Sequence, residues 1–317
     1  MNVFVTGATG VIGRPTVRRL LGDGHTVRAV ARSDAKADAL RAAGAEPVTV
    51  DLFDTIGVRD AVAGSDAILH LATHVPPMSR AVRKRAWATH NRLRTDATQH
   101  LLDAARANGV ERFVKESVTF MYPDRGDEWI DESVPFFESD NPLVNATREG
   151  EKMVEAYTDE GGKGVVLRFG LFYGFENRGT HEALRLARWR RAAVAGRPDS
   201  FMSSIHTDDV ASAVVSALEA PAGVFNVVDD EPLTRRAYVD AFSAAFDLPR
   251  LRLTPGWMIR LIAGADPVRV LTSSQRVANR RFRDATGWAP AYRNAQDGWA
   301  AIAAAEGTRH EEARHEP

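Results

Sequence analysis

Cysteine is absent from the 317-residue sequence, which excludes disulfides, thiolate catalysis and a cysteine-bound zinc. No apolar run approaches the ~18 residues of a membrane span, and a strand-like run already begins at Asn2. Neither a membrane anchor nor a secretory leader is therefore expected. An excess of either charge is missing too: 41 basic against 42 acidic residues leave a formal net charge of -1. That balance offers nucleic acid no bulk electrostatic hold. A cytoplasmic protein of one large or two intimately joined domains is expected. Its partner is then a small-molecule substrate, with no nucleic acid and no membrane.

What the sequence does have is a glycine-punctuated opening. Asn2-Val3-Phe4-Val5-Thr6 reads as a β-strand, and Gly7, Gly10 and Gly13 follow at i, i+3 and i+6. A helical pattern continues from Gly13, with Pro15 in its first turn, where a missing N–H costs nothing. Glycines at such a junction let the backbone turn tightly and approach a pyrophosphate. The helix start presents free N–H groups and its positive dipole end.

The run Thr6-Gly7-Ala8-Thr9-Gly10-Val11-Ile12-Gly13 resembles the extended, epimerase/dehydratase-like branch of the short-chain dehydrogenase/reductase superfamily. The resemblance implies an α/β, Rossmann-type doubly wound parallel sheet of about seven strands with a smaller C-terminal substrate-binding region. It divides the chain into a dinucleotide-binding core at 1–170, to which 203–228 return, and a substrate-binding region at 171–202 and 229–303. Residues 304–317 are left as a flexible tail. A nicotinamide dinucleotide is implied, held by Gly7, Thr9, Gly10, Val11, Ile12 and Gly13. Homodimers are common in the resembling family.

Further strands are predicted at His25–Arg32, Glu46–Leu52 and Asp66–Ala72, from Arg112, at Gly164–Gly170 and at Val224–Val228. NAD-selective members place a carboxylate after the second strand, where this chain has Ala31, Arg32 and Ser33. A guanidinium matches a 2′-phosphate, so Arg32 favours NADP, with NAD the alternative. By resemblance Asp51 and Leu52 bracket the adenine, Ala72 and Thr73 lie along the ribose and diphosphate, and Asn91 joins them. Val75-Pro76-Pro77-Met78 reads as a loop, and Arg80, Arg83, Lys84 and Arg85 as the solvated face of a helical stretch. His206 falls in the run that opens a helix near the cleft, and Thr234 is a good N-cap for 235–246.

Redox members of the superfamily use a tyrosine, a lysine four residues later and a serine or threonine. A phenol of pKa about 10 needs such a neighbouring cation to work at neutral pH. Aligned on Glu151, Met153 and Val154, the tyrosine's place is taken by Leu143 and the lysine's by Thr147. Counting back from Tyr122 puts Val118 at the hydroxyl's place, flanked by Ser117 and Thr119. No Tyr-x-x-x-Lys spacing occurs in the chain.

Three readings follow. In the first, an enzyme works with substituted machinery, for which Glu116, Tyr122 and His74 are the candidates, with Lys115 and Asp124 nearby. Glu116 shares a strand face with Val118, and its plainer role is an ion pair with an arginine. In the second, the protein is a redox-silent dinucleotide-binding or regulatory protein. In the third, it is a non-redox cyclase, lyase or isomerase. The arginines of 181–197 fit an anionic substrate or an amphipathic surface helix. Phe136, Phe137, Phe172, Tyr173, Phe175 and Trp257 are candidate cleft walls.

Overall fold

In the computed structural model, which describes residues 1–76, 83–175, 177–258 and 265–315, seven strands make one parallel sheet. They are β1 (Asn2–Thr6), β2 (Thr26–Val30), β3 (Glu46–Val48), β4 (Ala67–His70), β5 (Arg112–Val118), β6 (Lys163–Phe169) and β7 (Gly223–Val227). The order is β7-β6-β5-β4-β1-β2-β3. Direction of travel reverses between β1 and β4, which opens a crevice at the C-terminal ends of those two strands.

The register explains why these residues chose strands. Val5, Leu69, Val114 and Val165 lie side by side on one face, and Phe4, Ile68 and Phe113 on the other. Both rows are fully buried. The first packs under α1 (Gly13–Gly22), α2 (Asp34–Ala42) and the helix Thr207–Ser216; the second under α3 (Thr55–Val62) and the helices Asp96–Asn108 and Pro142–Asp159. Burial of each such side chain contributes about 1.5–3 kcal/mol. A separate core of Tyr173, Met202, Tyr238, Phe242 and Trp299 holds the C-terminal region together.

Several boundaries differ from the sequence reading. The third strand stops at Val48 rather than Leu52; Pro47 lacks a ladder N–H, and the strand lies at the sheet edge, where proline is tolerated. The final helix runs Ala295–His315 through the expected tail, in a stretch rich in the helix formers Ala, Glu and Arg. The aromatic wall does not assemble. Phe136 and Phe137 are buried in one cluster, Tyr173 in another, Phe172 packs against a third, and Trp257 is 65% exposed. Arg80, Pro77 and Met78 lie outside the described residues, and Lys84 opens a 3-10 turn rather than an α-helix. Among the described residues no helix is long and apolar enough to cross a membrane.

Candidate functional site

The crevice between β1 and β4 is floored by the glycine turn. Gly7 has φ +74°, and a Cβ there would sit 2.5 Å from the Leu71 carbonyl carbon and oxygen, just past β4. A Cβ on Gly13 would lie 2.1 Å from the Gly7 carbonyl oxygen. Only hydrogens fit at these two positions, so turn and helix close on each other, with the Gly10 N–H bonded to the Gly7 carbonyl at 2.8 Å. Ile12 at the start of α1 offers no side-chain acceptor, and the first turn carries no acidic residue. Among the described residues no side chain caps this helix start, which leaves it open to an anion. The cradle fits a diphosphate. Gly13→Ala is expected to weaken dinucleotide binding at least about tenfold, read from cofactor fluorescence, because one methyl would push turn and helix apart.

Most of the other cofactor candidates follow the C-terminal ends of β2, β3 and β4. Arg32 is exposed beyond β2 and has no ion pair among the described residues. Asp51 is exposed, its carboxylate accepting from the Phe53 N–H at 3.0 Å, and Leu52 is buried. Ala72 is half-buried and Thr73 and His74 are exposed on the segment leaving β4. Asn91 lies on α4 (Ala88–Arg94), its buried Oδ1 without a partner.

Thr6 and His70 are register partners at the ends of β1 and β4. His70 Nε2 donates to the Leu93 carbonyl at 3.0 Å, leaving Nδ1 to accept the Thr6 hydroxyl at 2.8 Å. Burial, with Lys115 nearby, pushes this imidazole down to about 3. It is neutral and pins the crevice floor to α4.

Glu116 is nearly enclosed, and Arg94 donates to its carboxylate at 3.1 Å. The ion-pair role is therefore the one the geometry displays. Arg94 also donates through Nε to His90 Nε2 at 2.9 Å, which places the imidazole proton on Nδ1. That buried donor has the His74 backbone beside it but no partner at hydrogen-bond geometry. Burial and the Arg94 charge hold His90 down to about 3. Neither Arg94 nor His90 is singled out by the sequence reading; their spacing of four on one helix was the available signal. Lys115 is buried beside Gly150, whose missing side chain makes the room: a Cβ there would lie 2.8 Å from Lys115 Cε. Burial and Arg94 lower the amine to about 7.

Tyr122 is fully buried, accepts from Arg168 at 2.7 Å and donates to Asn226 at 2.9 Å. Burial drives the phenol up to about 12, the wrong direction for proton transfer at neutral pH. Ser117 donates to Glu151, which is paired with Arg168 at 2.6 Å, so that hydroxyl is engaged as well. Thr119, directly after β5, keeps a buried hydroxyl with no partner. His206 caps the helix Thr207–Ser216 by accepting the Asp208 N–H at 3.2 Å, as its place in the sequence predicts.

Val118, Leu143 and Thr147 also receive definite places. Val118 and Leu143 pack on the same apolar cluster, with Met121, Phe136 and Phe137. Thr147, fully buried on the helix Pro142–Asp159, donates its hydroxyl to the Leu143 carbonyl at 2.9 Å. Val118 and Leu143 are thus core side chains, and the Thr147 hydroxyl is engaged within its own helix.

Comparison with known proteins agrees with this architecture. A family model for the NAD dependent epimerase/dehydratase family matches residues 3–227. The chain is 34% identical to a 3-diazoavenalumate denitrifying reductase from a Streptomyces species over 312 residues, covering 94% of this chain and 99% of that one. Human epimerase family protein SDR39U1, solved with NADPH, superposes with a TM-score of 0.77 at 24% identity, over 96% of this chain and 99% of that one. Thermus thermophilus UDP-glucose 4-epimerase, solved with NAD, gives 0.76 at 23%, over 96% and 98%. The relatives named here are thus a reductase, an epimerase family protein solved with NADPH and an epimerase solved with NAD, and the two solved structures share this fold. The chain belongs to the NAD dependent epimerase/dehydratase family, a family of NAD(P)-dependent enzymes.

Proposed function

We propose that the protein is an NADP(H)-dependent reductase that replaces a diazo group by hydrogen on a small organic acid. One observation carries this reading: Gly7 and Gly13 shape a cradle that fits a diphosphate, while the sequence holds no Tyr-x-x-x-Lys pair and the resemblance puts Val118, Leu143 and Thr147 at the usual trio's places. Ketone reduction creates an alkoxide that a side chain must protonate. When bound, the nicotinamide supplies a hydride, and exchange of a diazonium group for hydrogen with release of N2 uses that hydride and leaves no alkoxide. The similarity to a diazo-reducing relative over nearly the whole chain supports the same chemistry.

In this reading Gly7, Thr9, Gly10, Val11, Ile12 and Gly13 hold the diphosphate, and Asp51 and Leu52 the adenine. Ala72, Thr73 and Asn91 line the riboses. His74 borders the substrate. Glu116 acts through Arg94 to fix His90, and Tyr122 through Arg168 to fix the end of β5; both are positioning residues. The test is NADPH oxidation at 340 nm with a carboxybenzenediazonium salt and a ketone panel, corrected for the protein-free rate. One N2 released per NADPH, with ketones untouched, is expected. Ketone turnover at a comparable rate would overturn the reading. Binding of NADPH without turnover of either would favour a redox-silent dinucleotide-binding protein, the alternative that the missing trio also suits.

Cofactor choice has its own test. In this reading Arg32 meets a 2′-phosphate, and Arg32→Asp is expected to shift the NADPH/NADH affinity ratio at least about tenfold toward NADH. An unchanged ratio in fluorescence titrations would remove Arg32 from that role.

A further inference from the structure

Beside the strand pair Arg191–Ala195 and Arg252–Thr254 lies a hollow of about 520 Å³, lined by Trp189, Arg190, Arg191, Arg252, Pro255 and Met258. None of these belongs to the dinucleotide cradle. Four features of the hollow run against what a surface needs for stability alone.

Trp189 follows the helix Arg178–Ala187 and is 79% exposed. Arg190 has φ +55° while its N–H closes onto the Ala187 carbonyl at 2.8 Å, a helix-ending conformation that ordinarily takes glycine. Arg191 and Arg252 are register partners, so two like charges stand side by side. Among the described residues no carboxylate pairs with Arg190, Arg191 or Arg252, although Arg19, Arg41, Arg92 and Arg106 elsewhere on the surface all have acidic partners.

An indole face left bare next to three unneutralised guanidiniums is a complementary surface for a flat anion. Guanidiniums pair with carboxylate or phosphate oxygens, and the indole stacks on a ring. The volume falls within the range of small-ligand sites. We propose that this hollow binds a small organic anion bearing a flat ring, its charge held by Arg191 and Arg252 and its ring on Trp189. The anion is a carboxylate or a phosphate ester.

Benzoate and phenyl phosphate distinguish these two sources, because they share a ring and differ in charge group. Both are titrated into the full-length protein with NADPH saturating, reading tryptophan emission, with acetate at equal ionic strength as control. Trp189 is one of six tryptophans, so the signal is referenced to Trp189→Phe. Saturable quenching by one ring anion, absent in Trp189→Phe, is expected, with Kd raised at least about tenfold in Arg191→Gln/Arg252→Gln. Tighter binding of benzoate identifies a carboxylate ligand, and of phenyl phosphate a phosphorylated one. Equal responses to acetate and both probes, no quenching, or an unchanged Kd in a double variant with wild-type circular dichroism would each overturn the site.

Discussion

Glu116→Gln is expected to destabilise the protein by about 3–5 kcal/mol, measured by chemical denaturation, because it strands a buried guanidinium. The Arg94 and Glu116 side chains are only 3% and 5% exposed, and their closest approach is 3.1 Å. Removing one charge leaves the other desolvated without its compensation. Replacing both, as in Arg94→Met/Glu116→Leu, is expected to recover much of the loss, since an apolar pair of similar volume pays no desolvation cost. The same variants separate two roles for Glu116. As a positioning residue it affects turnover through His90, so activity per folded molecule of Glu116→Gln should fall less than about tenfold, mainly in KM, and the pH profile of kcat should keep its shape. Wild-type stability with a loss of kcat above about a thousandfold, and disappearance of an ionisation from that profile, would instead make it a general base.

What was legible in the sequence had local causes. Val3, Phe4 and Val5 before three spaced glycines specify a strand, a tight turn and a helix through side-chain shape and backbone sterics, and the structure keeps all three. The helix cap at Thr234 and the shared strand face of Glu116 and Val118 are equally short-range. The site's electrostatics are not local. Arg94 is 22 residues from Glu116, and the Tyr122 hydroxyl is bonded to Arg168 and Asn226, 46 and 104 positions away. No periodicity announces such pairs; they exist because the packing of helix on sheet and of strand beside strand brings distant segments together. The aromatic residues failed as a group for the same reason, since sequence proximity of Phe136, Phe137, Phe172 and Tyr173 says nothing about which of several cores each will enter.

Acidification should reveal two of the buried imidazoles, His70 and His90. His70 and His90 are both held near 3, below their unfolded value of 6.5, mainly by burial. Their contribution to stability is fully present above pH 6.5 and is lost as pH falls toward 3, because the unfolded chain takes up protons that the folded one refuses. Each histidine removes about 1.4 kcal/mol per pH unit in that window, or about 2 kcal/mol between pH 6.5 and 5. Buried carboxylates act in the opposite sense. Asp209 is raised to about 6 and Asp229 well above its ordinary value, both chiefly by burial, so acidification relieves a cost they impose at neutral pH. His206 is lowered and Glu132 raised as well, so the wild-type curve sums groups of both senses, and a variant is needed to isolate one. His70→Gln keeps an amide to donate to the Leu93 carbonyl while removing the titrating ring. It is expected to be less stable than wild type at pH 7.5, with the gap narrowing by about 2 kcal/mol between pH 6.5 and 5 in urea titrations. A gap that stays constant across that range would mean that His70 binds its proton as readily in the folded chain as in the unfolded one, and that the Thr6–His70–Leu93 bridge does not hold the ring neutral.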